Sequence, residues 1–305
     1  GEIGQATDAV ISGLLYFSHR SKDSYAVISA LHSLLKLGYQ DEVLNTRLVR
    51  QYYRGDELVQ SVALQTMALV EQPPPEMIRL LRAVIQQGNQ QLRYAVQALT
   101  EANLQNEQVE YDLIQASHSN DWETRDAAIQ GLGMLINPSP AVIDALCNAL
   151  ADPKWFVRRE AIASLGTLGR SDPKVIDDLL ALLARERHKE HKQVAQTATN
   201  TSVFEDERDI HAVLAELDAS QSLRGDIAMT LAHLGTVNEQ VIAAFEAELA
   251  SDDASVRERI VRNWWLLGKR NPTLLAPLQA ALNDVSERVR TSAAISLQQI
   301  HKGIE

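Results

Sequence analysis

The sequence returns to an arginine at a nearly fixed interval. Arg93, Arg125, Arg158, Arg224, Arg257 and Arg290 are separated by 32, 33, 66, 33 and 33 residues, and each is followed by small and aliphatic residues at helical spacing. The doubled interval marks a missing member at His191. Stepping back from Arg93 by the same period reaches Gln60 and then Val27, both in segments with the same apolar spacing. Nine periods account for nearly all of the 305 residues. A unit of this length cannot bury its apolar face alone, so neighbours must stack and the chain must build a quasi-one-dimensional array.

Each period resolves into two helices. Around Arg158 the apolar residues Val157, Ala161, Ile162, Leu165 and Leu168 fall at intervals of three and four, and Gly169 supplies a C-terminal stop. Before it, segments such as DPKVIDDLLALLA (172–184) and NPTLLAPLQAALND (271–284) open with a proline near the first turn and repeat their leucines at helical spacing. The short joins between them leave room only for antiparallel helix pairs. Composition agrees: 45% hydrophobic residues carried by alanine and leucine, with aromatics at 5%, is the profile of a helical protein. The expectation is an all-α superhelical solenoid of about nine helix pairs, forming a single body over 1–305 with an irregular repeat and a hinge at 185–209.

No run approaches the ~18 apolar residues of a membrane span, so a soluble, cytoplasmic protein is expected. The single cysteine, Cys147, lies among apolar residues of IDALCNAL, where a buried thiol is the simplest reading. A net charge of -11 disfavours general nucleic-acid binding, which depends on neutralising phosphates.

The grammar of proline in the first helix, aspartate in the turn and Val-Arg at the start of the second helix resembles the HEAT repeat. The period of 33 resembles the compact bacterial variety found in phycobilin lyases. Asp152 with Arg158, Asp218 with Arg224 and Asp284 with Arg290 keep the six-residue separation of that pattern. The resemblance implies that these residues form a ladder of contacts between successive units. It also implies that the second helices line a concave face, on which such arrays hold protein segments.

That face can be read as columns. Six residues past the register lie Ser33, Thr66, Leu99, Gly131, Ser164, Thr197, Thr230, Asn263 and Ser296, a small and mostly hydroxylated set that either lines a groove or lets adjacent helices approach. One residue earlier lie His32, Gln65, Ala98, Gln130, Ala163, Gln196, Met229, Arg262 and Ile295. Trp122 and Trp155 each precede their register arginine by three, and His188 occupies the same place in the next period. With helices stacked ~8–10 Å apart, these rings are expected to form a column, and tryptophan is favoured at binding hot spots. Of the pair Trp264 and Trp265, the first matches core Leu165 and the second matches Gly166. The expected partner surface therefore comprises Trp122, Trp155, His188, Gln130, Gln196, Met229, Arg262 and Trp265.

The favoured function is a non-catalytic scaffold or adaptor that binds a protein or peptide segment. A tetrapyrrole-handling protein of the phycobilin-lyase type is the enzymatic alternative. HEAT-like DNA glycosylases follow through the Trp264 and Trp265 pair, although no aspartate lies one turn from either. Deoxyhypusine hydroxylase, also HEAT-like, takes its iron ligands from paired His-Glu dipeptides, and none occurs here. His188 and His191, joined by His211, could hold zinc or nickel, but local cysteine is lacking. No metal and no cofactor are expected.

Overall fold

The structure is a computed structural model that describes residues 2–89, 91–102, 107–199, 223–268 and 274–302, without the side chains of 2–7 and 189–199. Among these residues every regular element is helical. In chain order they are α1 (Glu2–Arg20), α2 (Ser24–Lys36), α3 (Glu42–Arg54), α4 (Glu57–Met67), α5 (Pro75–Gln87), α6 (Leu92–Glu101), α7 (Glu107–Ala116) and α8 (Trp122–Gly133). They continue as α9 (Pro140–Ala149), α10 (Trp155–Leu168), α11 (Pro173–Thr199), α12 (223–234), α13 (Glu239–Leu249), α14 (Ala254–Gly268), α15 (Leu275–Ala281) and α16 (Glu287–Lys302). The chain forms two compact units, Gly1–Ala145 and Leu146–Glu305, with the boundary inside α9. No helix among the described residues is long and apolar enough to cross a membrane.

Local chemistry sets the helix ends. Asp41, Asp56 and Asp121 sit in extended backbone and accept from the amides of Leu44, Val59 and Thr124, satisfying N–H groups that lack an intrahelical acceptor. Proline opens α5, α9 and α11, where its missing N–H costs no hydrogen bond. At the other end Gly88 and Gly169 adopt φ of 60° and 64°, left-handed values that end α5 and α10.

In the first unit consecutive helices pack in pairs, α1 with α2 through α7 with α8, and even-numbered helices stack on one another. The stacking surface is the small-residue column. Thr66 and Leu99 are buried, the Thr66 hydroxyl lies 3.2 Å from His32 Nδ1, and a Cβ on Gly131 would meet Val96 at 2.9 Å. These residues are small because the helices approach closely there. At these positions of the first unit the column serves helix approach.

The register arginine is absent from the earliest periods, and amides replace it. Gln91 is buried, donates to Gln60 Oε1 at 3.2 Å and accepts from the Tyr52 hydroxyl at 3.4 Å. Arg93, a member of the arginine register, is exposed, with its guanidinium 5.7 Å from the Tyr94 ring. From Arg125 onward a recurrent bond appears. Arg125 Nη1 donates to the carbonyls of Ser119 and Asn120 at 2.9 and 3.1 Å, tying the helix start to its own preceding turn.

The second unit repeats that bond at Arg158 with Asp152 and Pro153, at Arg257 with Ser251 and Asp252, and at Arg290 with Asp284 and Val285. The rest of the guanidinium reaches forward to an acid on, or just after, the next first helix. Arg257 donates to both oxygens of Asp284 at 2.8 and 2.9 Å, Arg224 to Glu248, and Arg158 lies 3.7 Å from Glu186. The ladder implied by the resemblance is present. Its rungs join different partners from those the six-residue spacing suggested, because the residue at that spacing offers its carbonyl.

These rungs also fix how the doubled interval is used. α12 carries the register arginine of the seventh period, yet it stacks directly on α10: Thr230 donates to the Ile162 carbonyl at 3.4 Å across 68 residues, and Arg159 lies 3.4 Å from Asp226. An ordinary step spans 35, as where Ser296 donates to Val261. α11 in turn lies beside α9 and α13, with Arg185 donating to the Leu150 carbonyl at 2.7 Å and Arg187 to Glu248 at 2.7 Å. α11 and α12 therefore take the two places of one helix pair. The period expected as an altered sixth repeat is an insertion within that pair. Its first part is helical, since α11 runs unbroken to Thr199, and 200–222 lie outside the described residues.

Candidate functional site

The adjacent tryptophans of α14 separate two environments. Trp264 is fully buried, edge-on to Phe245 at 5.6 Å, and its indole N–H donates to the Leu274 carbonyl at 2.8 Å. That contact satisfies the ring's only polar atom, as burial requires. A helix turns about 100° per residue, so Trp265 leaves this interface and is half-exposed. It lines an open cleft of about 590 Å³ between α14 and α16, together with Glu258, Arg262, Ser292, Ile295, Ser296 and Gln299.

The cleft follows from helix spacing. Glu258, Arg262 and Trp265 fall at intervals of four and three on α14, and Ser292, Ile295 and Gln299 repeat the same intervals on α16, so each set shares one helical face. Ser292 and Ser296 are buried at the junction, where the Ser296 hydroxyl donates to the Val261 carbonyl at 2.9 Å. Small floor residues leave volume, and the walls are large. Ile295 is 53% exposed, an apolar side chain with no covering element among the described residues. Glu258 is held by Arg288 at 3.1 Å, whereas Arg262 is exposed and has no ion-pair partner among the described residues.

The other expected contact residues are distributed over both units. Trp122 begins α8 in the first unit and is half-buried, with Gln130 exposed two turns on. Trp155 begins α10 in the second unit and stacks on Phe156, ring centroids 3.8 Å apart at 29°. Phe156 is 44% exposed, so this dipeptide presents an aromatic platform; Phe156 falls on no column of the repeat, so periodicity does not mark it. His188 is exposed on α11. Gln196 falls on the same helix, with its side chain outside the described residues. Met229 is exposed on α12. The structure brings Arg262 and Trp265 into one cleft and finds Ile295 and Gln299 opposite them.

Chemically reactive groups are few. Burial pushes the Cys147 thiol up to about 11, which leaves it protonated and inert at neutral pH. Among the described residues no group of three or more His, Cys, Asp or Glu is placed to hold a metal ion; the His191 side chain and His211 lie outside them. What the cleft offers is apolar area, one uncommitted cation and an amide, which suits recognition of an extended segment.

Comparison with known proteins agrees on the repeat. Residues 109–199 match the family model for HEAT repeats, and the match does not reach the phycobilin-lyase subtype. No curated protein matches the sequence. A chain in a homology model of the full-length AP-3 complex in an intermediate open conformation is 16% identical, with a TM-score of 0.49 over 92% of this chain and 54% of its own. This chain thus spans about half the length of that one. Human deoxyhypusine hydroxylase in complex with glycerol is 16% identical, with a TM-score of 0.34 over 99% of this chain and 100% of its own. A structure of the phosphorylation switch that controls the interaction between cadherin and beta-catenin is 15% identical, with a TM-score of 0.42 over 97% and 68%. At these similarities none of the three says what this chain binds.

Proposed function

We propose that the protein is a non-catalytic scaffold or adaptor that holds a protein or peptide segment against the exposed face of its second helices. The α14–α16 cleft carries the reading. Its walls come from repeat positions that point away from the core, and they pair a half-exposed tryptophan with an exposed isoleucine. Large rigid side chains of this kind bury much area at small entropic cost when a partner covers them. In this reading Met229 on α12 extends the same contact surface, and Trp122, Gln130, Trp155, His188 and Gln196 add contacts along the repeats.

A photo-crosslinking residue placed at Ile295 tests the proposal in the native source. Capture of a discrete protein from Ile295, absent when Trp265 is replaced by alanine and absent from an exposed site such as Glu287, is the expected outcome. Equal labelling from Ile295 and Glu287 would remove the cleft from consideration as a binding face.

A further inference from the structure

We infer that the segment received by the α14–α16 cleft is acidic, presenting an Asp or Glu carboxylate to Arg262 beside a large apolar side chain that packs between Trp265 and Ile295. The inference rests on the proposed peptide-binding reading of this face and specifies its partner.

Charge is the first argument. The chain carries -11 overall, and an exposed arginine without an ion-pair partner among the described residues is a local positive site in that acidic molecule. The acid one turn before it does not neutralise it, because Glu258 is engaged by Arg288 at 3.1 Å. Two neighbouring arginines of the second helices are committed: Arg159 lies against Asp226, and the Arg259 side chain lies across Gly225, where an added Cβ would meet Arg259 Cδ at 2.4 Å. Arg262 is left to receive an anion from outside.

Geometry is the second argument. Arg262 and Trp265 are three residues apart on one helical face, so a carboxylate at the guanidinium places its neighbouring side chain at the indole. An arginine–carboxylate pair is planar and bidentate, which fixes the orientation of the bound segment. Ile295 closes the apolar side and Gln299 offers an amide for the segment's backbone. The apolar walls lower the local dielectric once covered, which strengthens the ion pair.

The test is selection of a random displayed peptide library on the full chain, followed by affinity measurement of the enriched peptides on Arg262→Ala, Arg262→Lys, Trp265→Ala and Ile295→Ala, each verified as folded by its thermal transition. Enriched peptides are expected to carry Asp or Glu next to a large apolar residue, to weaken at least about tenfold on Arg262→Ala, and to recover in part with lysine. Added salt should weaken them as well. Neutral or basic enriched peptides that depend on Trp265 or Ile295 overturn the acidic partner while the peptide-binding face stands. Acidic peptides indifferent to Arg262 overturn the inference too. No enrichment, or enriched peptides indifferent to all four variants, overturns both.

Discussion

Arg257 donates through two nitrogens to the two oxygens of Asp284, joining the start of α14 to the turn that follows α15. The same guanidinium holds the carbonyls of Ser251 and Asp252, so a single side chain links three segments. The hydrogen bonds from Arg257 hold the Asp284 carboxyl below its ordinary value of 3.8. Stability from a depressed carboxylate is complete above the unfolded value and is lost as pH falls through the folded one. Asp284→Asn is therefore expected to lower the melting temperature at pH 7 and to flatten its acid dependence below pH 3.8. Superimposable melting profiles of the two proteins between pH 2 and 5 would refute the coupling.

Glu248 is fully buried between Arg187 and Arg224. Removing its charge takes the shared counter-charge from two guanidinium groups, so Glu248→Gln should cost about 3–5 kcal/mol in urea unfolding. The two arginines are not equivalent: their side chains are 27% and 3% exposed. Arg224→Ala should cost more than Arg187→Ala, because water can replace the partner only at the exposed end. The reverse order would contradict the burial.

The stacking of α12 on α10 is open to a covalent test. A Cβ on Gly166 would lie 3.7 Å from Thr230 Cβ, within the ~3.5–4.5 Å that a disulfide requires. Gly166→Cys with Thr230→Cys, in a Cys147→Ala background, should oxidise to an intramolecular bridge visible as a faster band without reductant. If a complete repeat separated α10 from α12, no bridge would form.

Trp264 and Trp265 should behave oppositely. Trp264→Ala empties a core site and breaks the bond to Leu274, at about 3–5 kcal/mol. Trp265→Ala should change stability by about 1 kcal/mol or less while abolishing partner capture. Thermal unfolding and crosslinking yield, measured on the same two variants, separate the roles.

Much of this was legible in the sequence, and the misreadings have physical causes. The 33-residue period, the proline starts and the stop at Gly169 report local backbone chemistry, which one chain records directly. Trp264 was placed in the core and Trp265 outside it by register alone. The ladder was misread at the rung, since Asp152 and Asp284 stand six residues before an arginine and invite an ion pair. Ser119 and Ser251 occupy the same place and serve as well, because the acceptor there is a carbonyl that every residue owns. Arg93 was admitted to the register by spacing, yet Gln91 takes the buried position two residues away. The insertion was hidden because its length equals one period, so spacing could not distinguish an altered repeat from an added segment.

That insertion bears on how the chain folds. A helical array ordinarily propagates structure between neighbours that are also neighbours in sequence, so the entropy lost at each step is small. Between α10 and α12 the hydrogen bond from Thr230 to Ile162 spans 68 residues, roughly twice the usual step. Doubling a loop costs only about 0.6 kcal/mol in closure entropy, but this must be met before α12 packs on α10. Folding that spreads from either side should pause at this junction, which makes it the natural border between two kinetically separate folding units.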